Sequence, residues 1–351
     1  MKLSDFDYLL PKDLIAAYPP EDRPSAKLLC VERMAGRCSH HVFRDIHSFL
    51  RPGDVLVLNN TKVIPARIFG RKETGGQVEA LLLKNRQGST WEALIRPNGR
   101  IKKNARLCFG NNGTTLEAHV LDDPRSDSGR RLLEFKENSL QEKLQKLGHM
   151  PLPPYLNRPD IPLDRELYQT VFAEREGAVA SPTAGLHFNQ PLLTQLKEKG
   201  VEIVFVTLHV GYGTFKPITE EDLTRHPMEE EEFEMTVEAA EKINAAIREN
   251  RRIIACGTTS VRVLESSVSR EGEVEAQEGK TRLFIYPPYP FKVVDGLITN
   301  FHLPKSTLLL LVAAFFDAQG GQGREKLFKV YEEAIRQRYH FYSYGDAMLI
   351  L

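Results

Sequence analysis

The residues best suited to chemistry in this sequence are gathered in a few dense polar segments. Each segment adjoins an apolar run, so each is predicted to be a loop at the end of a strand. Loops at strand ends are the places where α/β folds collect ligands. A ligand site is therefore expected where these segments meet: residues 59–67, 181–188, 207–217, 256–265 and 287–305.

Four titratable side chains in these segments, and a fifth at residue 346, are candidates for proton transfer. Burial or a charged neighbour can bring the pKa of a histidine or a carboxyl group to the value that acid–base chemistry needs. One carboxylate is expected to orient one imidazole, if the side chains at 295 and 302 meet in space. Two other interpretations stay open, a histidine that binds loop backbone at 187 and a turn-capping carboxylate at 346. The candidates are His187, His209, Asp295, His302 and Asp346.

A continuous β-type run at residues 201–208 leads into the glycine pair Gly211 and Gly213. This pattern is similar to the first turn of a doubly wound nucleotide fold, where a helix follows the glycines and holds a phosphate. Here Lys216 and Pro217 follow and no third glycine arrives, so a simple Rossmann turn is not favoured. The glycines still allow the backbone to lie against a flat ligand.

The cysteines and histidines show no spacing typical of a metal site. Cys30 and Cys38 precede adjacent histidines at 40 and 41, which matches no common structural zinc pattern, so no metal is expected. The scattered cysteines favour a reducing compartment. The first residues carry acids and a proline where a signal peptide needs apolar residues, and the apolar run at 308–316 is too short to cross a membrane. These features predict a cytoplasmic protein.

The spacing of apolar runs and turn residues changes twice along the sequence, which predicts an α/β domain interrupted by a β insert. Short apolar runs separated by turn clusters between residues 67 and 135 indicate small antiparallel strands. A short helix at 140–147 and a proline-dense stretch at 151–162 close this part. Strand and helix patterns then alternate, including a strand expected at 281–286. The expected division is an α/β domain formed by residues 1–66 and 151–351, with an inserted β domain at 67–150.

Charge is balanced over the whole chain but not along it. Lys plus Arg and Asp plus Glu each number 47, so bulk charge alone does not hold this protein to nucleic acid. Residues 60–107 are strongly basic, and an RNA-binding role is expected there for Arg96, Arg100, Lys102, Lys103 and Arg106. Residues 228–241 carry seven glutamates and no basic residue, and this run is interpreted as the start of a solvated helix.

The polar segments, in this order, resemble the S-adenosylmethionine:tRNA ribosyltransferase-isomerase family of queuosine biosynthesis. The resemblance covers essentially the whole chain, including residues 9–25 and the ending at 342–351. One departure is visible. The family pattern continues from His226 and Met228 to a second histidine, whereas this chain has Glu229.

The resemblance implies that S-adenosylmethionine donates its ribosyl group, not its methyl group. The acceptor would be the 7-aminomethyl-7-deazaguanine base at the wobble position of tRNA, and the products would be epoxyqueuosine-tRNA, adenine and methionine. It also implies a distorted, barrel-like α/β domain with a smaller inserted β-barrel, and no metal or redox cofactor.

The same resemblance extends the set of candidate site residues. It implies that the five titratable side chains above act in proton transfer and that Arg262 binds the methionyl carboxylate through two parallel hydrogen bonds. Tyr212 is a candidate for stacking on a base. The remaining candidates for substrate binding are Lys62, Arg67, Thr183, Gly185, Gly211, Gly213 and Thr258.

Two functions of other classes stay open from the residues alone. An S-adenosylmethionine-dependent RNA methyltransferase would release S-adenosylhomocysteine instead of adenine. A non-enzymatic RNA-binding module would use only the basic β insert. Nothing in the sequence requires a dimer, so a monomer is expected.

Overall fold

The computed structural model describes residues 1–97, 101–111, 113–122, 129–136, 139–215, 218, 220–317 and 321–351. The strands are β1 Lys27–Val31, β2 Cys38–Val42, β3 Val55–Asn59, β4 Thr61–Val63, β5 Arg67–Lys72, β6 Gln77–Gln87, β7 Thr90–Arg96, β8 Arg106–Asn111, β9 Thr114–Val120, β10 Arg130–Phe135, β11 Arg175–Ala178, β12 Glu202–Leu208, β13 Glu231–Met235, β14 Ile253–Cys256, β15 Gln277–Thr281, β16 Gly296–Asn300 and β17 Ala347–Ile350. The helices are α1 Leu140–Leu147, α2 Asp164–Leu167, α3 Gln190–Glu198, α4 Val237–Arg248, α5 Gly257–Ser267, α6 Thr307–Phe316 and α7 Gly323–Arg336.

A mixed nine-stranded sheet in the order β15-β13-β12-β3-β14-β16-β17-β1-β2 forms the larger part of the molecule. Its centre, β12-β3-β14-β16, is parallel, and all five residues of β3 are buried. A parallel strand covered on both faces must be apolar throughout, which explains the sequence VLVLN. The carboxyl ends of these four strands lie at one edge of the sheet, where β/α loops meet.

The helix α6 lies in the core of this domain. Its sequence TLLLLVAAFF is apolar on every side, and eight of its residues are buried. Ser306 is the N-cap of the helix, because its hydroxyl accepts a hydrogen bond from the Leu309 N–H at 3.2 Å. Among the described residues, no helix is long and apolar enough to cross a membrane.

The six strands β5 to β10 close into a small barrel in the order β10-β7-β6-β5-β8-β9. Alternate side chains fill its interior: Val78, Ala80 and Leu82 on β6 are buried, as are Ala93 and Ile95 on β7. The helix α1 adds its buried leucines to the same core. The expected fold class, an α/β domain with an inserted all-β barrel, is confirmed.

The chain enters and leaves the barrel at one place. Arg67 and His149 exchange two backbone hydrogen bonds, of 3.2 Å and 2.7 Å. Beside them, a Cβ on Gly148 would lie 2.0 Å from the Pro65 carbonyl oxygen, so this position requires glycine. The structure thus joins the barrel to the sheet through two adjacent chain segments.

The observed secondary structure agrees with the sequence-based prediction for the helix α1 and differs from it at two other places. The helix α1 has the bounds expected for it, 140–147. The strand expected at 281–286 lies instead at 277–281: the ladder between β13 and β15 ends where Glu231 pairs with Thr281, so the residues that follow have no partner strand. The acidic run is a helix start only in its last part, where α4 begins at Val237, because residues 231–235 form β13 inside the sheet.

The glutamates of this acidic run are paired with basic residues from distant parts of the chain. Glu230 contacts Lys280 at 3.2 Å, and Glu232 contacts Lys84 of the barrel at 2.5 Å. Glu229 pairs with Arg130 at 2.5 Å, and Glu231 pairs with Arg262. Long-range pairing therefore supports a strand in a run that contains no cation of its own.

Candidate active site

A cleft of about 1050 Å³ lies between the barrel and the part of the large sheet formed by β12 and β13. Its barrel side is formed by β6, β7 and Arg130. Its other side is formed by residues 209–213 after β12, the acidic strand β13 with the segment before it, Arg262 of α5 and residues 282–285. Three of the five expected ligand segments line this cleft, through Ile64 and Pro65, residues 209–213 and Arg262; residues 181–188 and 287–305 do not.

Asn59 and Asn60, at the carboxyl end of β3, fix the loop that follows β12. The Asn59 amide oxygen accepts the N–H of Leu208 at 3.1 Å, and its amide nitrogen donates to the Thr259 hydroxyl at 3.1 Å. The Asn60 amide oxygen accepts the Thr207 hydroxyl at 2.7 Å. These buried amides connect β3, β12 and α5, so the loop after β12 has a defined position.

His209 is the first residue after β12 and lines the cleft. Its Nδ1 lies 2.8 Å from the Thr61 hydroxyl, and Nε2 has no hydrogen-bond partner among the described residues. Burial lowers the pKa of His209, so the ring is neutral at neutral pH. A Cβ on Gly177 would lie 2.9 Å from the imidazole, so a larger side chain there would displace the ring.

Arg262 and Glu231 form a buried ion pair in the wall of the cleft; their side chains are 8% and 5% exposed. The second carboxylate oxygen of Glu231 accepts the Gly211 N–H at 2.9 Å, which connects the pair to the glycine loop. Arg262 Nε donates to the Leu283 carbonyl at 3.2 Å. Its Nη2 is buried without a partner among the described residues.

The hydrogen bonds of Arg262 show which part of its guanidinium is left for a ligand. Nε donates to Leu283, and Nη1 donates one of its two N–H groups to Glu231. Nη2, in the wall of the cleft, has no partner among the described residues, and the two parallel hydrogen bonds expected of Arg262 stay a prediction.

The cleft also contains a histidine that sequence reasoning did not select. His226 packs its ring edge against Phe284 at 5.5 Å, and its Nδ1 is buried without a partner among the described residues. Burial lowers the pKa of His226. The sequence pointed to it only through Glu229, three residues later, where this chain departs from the family pattern.

Gly213 is needed for the close approach of Glu229. A Cβ at this position would lie 2.7 Å from the Glu229 carboxylate, which Arg130 holds from the barrel side. Gly211, in contrast, has room for a Cβ, 3.7 Å from Glu231. Tyr212, between the two glycines, lies in the wall of the cleft, as the stacking role expected for it requires.

A second polar cluster lies at the carboxyl end of β16, outside the cleft. The Thr183 hydroxyl donates to the Asn300 amide oxygen at 3.0 Å, and the Asn300 amide lies 3.2 Å from His187 Nε2. The ring of His187 packs against Phe43, and burial lowers its pKa to about 4. Gly185 lies in the same short 3-10 helix, where a Cβ would meet Phe172 at 2.8 Å.

The expected pairing of Asp295 with His302 is wrong, because the whole of β16 separates the two residues. Asp295 precedes β16, and its carboxylate accepts the Ile253 N–H at 2.8 Å at the amino end of the parallel strands. His302 follows β16, where its Nε2 lies 2.8 Å from the Thr299 hydroxyl. Burial raises the pKa of Asp295 and lowers that of His302 to about 3.

The other candidates occupy separate places. The Asp346 carboxylate accepts two backbone N–H groups, from Lys27 and His340, each at 2.7 Å. Lys62 pairs with Glu176 at 3.0 Å on the surface, and Thr258 is buried in the first turn of α5. Of the five acid–base candidates, only His209 lines the cleft.

The basic residues expected to bind RNA differ in their surroundings. Arg96, Lys102 and Lys103 are exposed, whereas Arg106 pairs with Glu117 at 2.6 Å. Arg100 lies outside the described residues. Arg67 and Arg96 line a second, smaller cavity beside the cleft. Within the described residues, no three His, Cys, Asp or Glu side chains are grouped so as to hold a metal ion.

Comparison with known proteins places this geometry in a family. Residues 3–350 match the family model described as queuosine biosynthesis protein. The chain is 48% identical to the S-adenosylmethionine:tRNA ribosyltransferase-isomerase of Sulfurihydrogenibium sp. over the full length of both, and 50% identical to that of Fusobacterium nucleatum over 99% of this chain and 96% of the relative. The crystal structure of S-adenosylmethionine tRNA ribosyltransferase from Thermotoga maritima, 38% identical, aligns with a TM-score of 0.56 over 99% of this chain and 100% of that one. The chain therefore belongs to the queuosine biosynthesis protein family.

Proposed function

We propose that this protein is an S-adenosylmethionine:tRNA ribosyltransferase-isomerase that uses the cleft as its active site. The observation that carries the proposal is the full-length match to relatives of that name at 48% identity. The cleft supports it, since one wall belongs to a barrel with an exposed basic surface and the other to loops at strand ends.

The reaction begins with proton removal from the 5′ carbon of S-adenosylmethionine, whose hydrogen the sulfonium makes acidic. His209 is suited to accept that proton, because burial keeps its ring neutral and Nε2 faces no protein partner among the described residues. When Nδ1–H donates to the Thr61 hydroxyl, Nε2 carries the lone pair that acts as the base.

We assign the methionyl carboxylate to Arg262 Nη2. A buried N–H without a partner costs stability unless a ligand accepts it, and a carboxylate is the acceptor that a guanidinium binds most strongly. Glu231 fixes the guanidinium from the other side. His226 Nδ1 offers a second polar contact in the same cleft.

The other site residues stay predictions. Thr183, Gly185, Thr258, His187 and His302 lie near the carboxyl ends of the parallel strands, the edge at which α/β folds bind ligands. Asp295 lies at the opposite edge, and Asp346 already holds two backbone groups. We further propose that the protein works as a cytoplasmic monomer without a prosthetic group, as its tRNA and S-adenosylmethionine substrates suggest.

The experiment that tests the proposal is incubation with S-adenosylmethionine labelled in adenine and tRNA carrying 7-aminomethyl-7-deazaguanine. Release of free labelled adenine, dependent on that tRNA, is the expected result. Labelled S-adenosylhomocysteine would instead identify a methyltransferase. RNA binding with neither product would leave only a binding module.

A further inference from the structure

A second cavity of about 440 Å³ adjoins the cleft, and the function proposed above gives it no role. The two cavities share Tyr212 as a lining residue. We call the smaller one the side pocket. Its volume lies within the range of cavities that hold small ligands.

The outward face of the barrel forms one wall that runs through both cavities. On β6, Glu79 and Leu81 border the side pocket and Leu83 borders the cleft. On β7, Arg96 borders the side pocket and Glu92 the cleft. Alternate residues of a strand share a face, and Arg96 and Glu92 lie about 13 Å apart at the usual rise of a strand, so an extended ligand can lie along both cavities.

The side pocket combines cationic walls with an apolar floor. Arg67 and Arg96 stand on either side of Glu79, which pairs with Arg67 Nε at 3.4 Å without hydrogen bonding to it. Arg96 is exposed and has no hydrogen-bond or ion-pair partner among the described residues. The floor is formed by Leu81, Leu94, Leu152, Pro153 and Pro154.

This charge pattern favours an anion attached to a flat or apolar group. Arg67 and Arg96 exceed Glu79 by one positive charge, and the Arg158 charge nearby is compensated by Asp164 at 2.7 Å. Arginine recognises phosphate oxygens through planar N–H groups. An apolar floor suits the face of a ribose or a base.

We propose that the side pocket binds the nucleotide next to the one modified in the cleft, with its phosphate on Arg67 and Arg96. This proposal rests on the function proposed above. It makes the pocket a site that reads the RNA backbone beside the reactive base, and it places the RNA across the Tyr212 loop.

The test uses a synthetic anticodon stem–loop with the acceptor base and one neutral methylphosphonate linkage, placed either before or after that base. One of the two placements is expected to weaken binding to the wild type by about tenfold, the usual loss for one charged hydrogen bond. Arg96→Ala should bind the unmodified RNA about tenfold more weakly and lose less than the wild type with the neutral linkage, because only Arg67 then remains beside that phosphate. Arg71→Ala, which removes an exposed arginine from the same barrel outside both cavities, is the matched control and should behave as wild type.

Three results would overturn the proposal. The first is that the effects of Arg96→Ala and of the neutral linkage add, which would show that they act separately. The second is equal RNA affinity for Arg96→Ala and Arg71→Ala. The third is saturation of the protein with inorganic phosphate that leaves its affinity for RNA unchanged. Adenine release by the wild type, measured with the unmodified RNA in the same experiment, separates these results from a failure of the proposed function.

Discussion

His209 is the acid–base candidate whose ring nitrogen Nε2 remains available in the cleft. His209→Ala is expected to lower the rate of adenine release at least about a hundredfold, the lower end for a lost acid–base group. Its affinity for S-adenosylmethionine should change little, and added imidazole should restore part of the rate. The control is His41→Ala, which removes a half-buried histidine outside the cleft. Release at the wild-type rate by folded His209→Ala would exclude the residue from proton transfer.

A substitution at Arg262 tests how S-adenosylmethionine is bound. Arg262→Lys keeps the positive charge but loses the planar N–H groups that contact Glu231, Leu283 and the cleft. We expect the dissociation constant for S-adenosylmethionine to rise at least about tenfold in titration calorimetry. Arg270→Lys, at an exposed position just beyond α5, is the matched substitution. Equal affinities for the two variants would contradict the assignment of Arg262 to the methionyl carboxylate.

His187 should make stability depend on pH. Its pKa is about 4 in the folded protein and near 6.5 when unfolded, so the unfolded chain takes up a proton first as pH falls. Stability is therefore constant above about pH 6.5 and decreases toward pH 4, by at most roughly 3 kcal/mol from this group. The difference between urea unfolding midpoints at pH 7 and pH 5 should be smaller in His187→Gln. A difference equal to that of His41→Gln would contradict this account.

At the scale of elements, the strand β13 depends on pairing with distant cations. Glu231→Gln leaves the Arg262 charge buried without its partner, which is expected to cost about 3–5 kcal/mol of unfolding free energy. Glu238→Gln, in the exposed first turn of α4, removes only a surface pair with Lys242 and should leave the urea midpoint unchanged. Equal midpoints for the two variants would show that the Arg262 pair is not stabilising.

The elements that sequence could predict are those whose signal is local. The helix α1 and the strand β12 follow from their own apolar spacing and from the glycines that end or precede them. The strand β13 could not be predicted, because the cations that pair with its glutamates lie on β6, β11 and α5. Local propensity is overridden there by tertiary contacts.

The same distinction applies to the candidate site. Residues next to strand ends, such as His209 and Arg262, could be selected because parallel strands bring their carboxyl ends to one edge. His226 could not, since its place in the cleft depends on how the segment before β13 crosses the sheet. The predicted pairing of Asp295 with His302 was wrong because the seven-residue interval between them contains the whole of β16, which places the two side chains at opposite ends of the strand.

At the scale of the whole molecule, an electrically neutral protein must hold a polyanion through local charge. Lys102 and Lys103 are exposed on the barrel. If they contact the RNA backbone, Lys102→Ala with Lys103→Ala should weaken tRNA binding and leave S-adenosylmethionine affinity unchanged. The slope of log affinity against log salt should flatten by somewhat under one for each phosphate that the variant no longer neutralises.

The control for this pair removes two charges elsewhere. Arg248→Ala with Arg270→Ala deletes exposed arginines from the α/β domain. Measuring the tRNA affinity of both double variants and the wild type over a series of salt concentrations shows whether Lys102 and Lys103 contact the RNA backbone. Identical slopes for all three proteins would mean that RNA contacts other surfaces, with the side pocket and the cleft loops as the remaining route.

The junction at Arg67 and His149 has a consequence for how separable the barrel is. Two residues that exchange backbone hydrogen bonds have Cα atoms about 5.5 Å apart, a gap that a two-residue hairpin turn closes. A chain with residues 68–148 replaced by Asn-Gly should therefore keep His209 and Arg262 on the large sheet. It would lack Lys84 and Arg130, the barrel partners of Glu232 and Glu229, together with the wall on which RNA would lie.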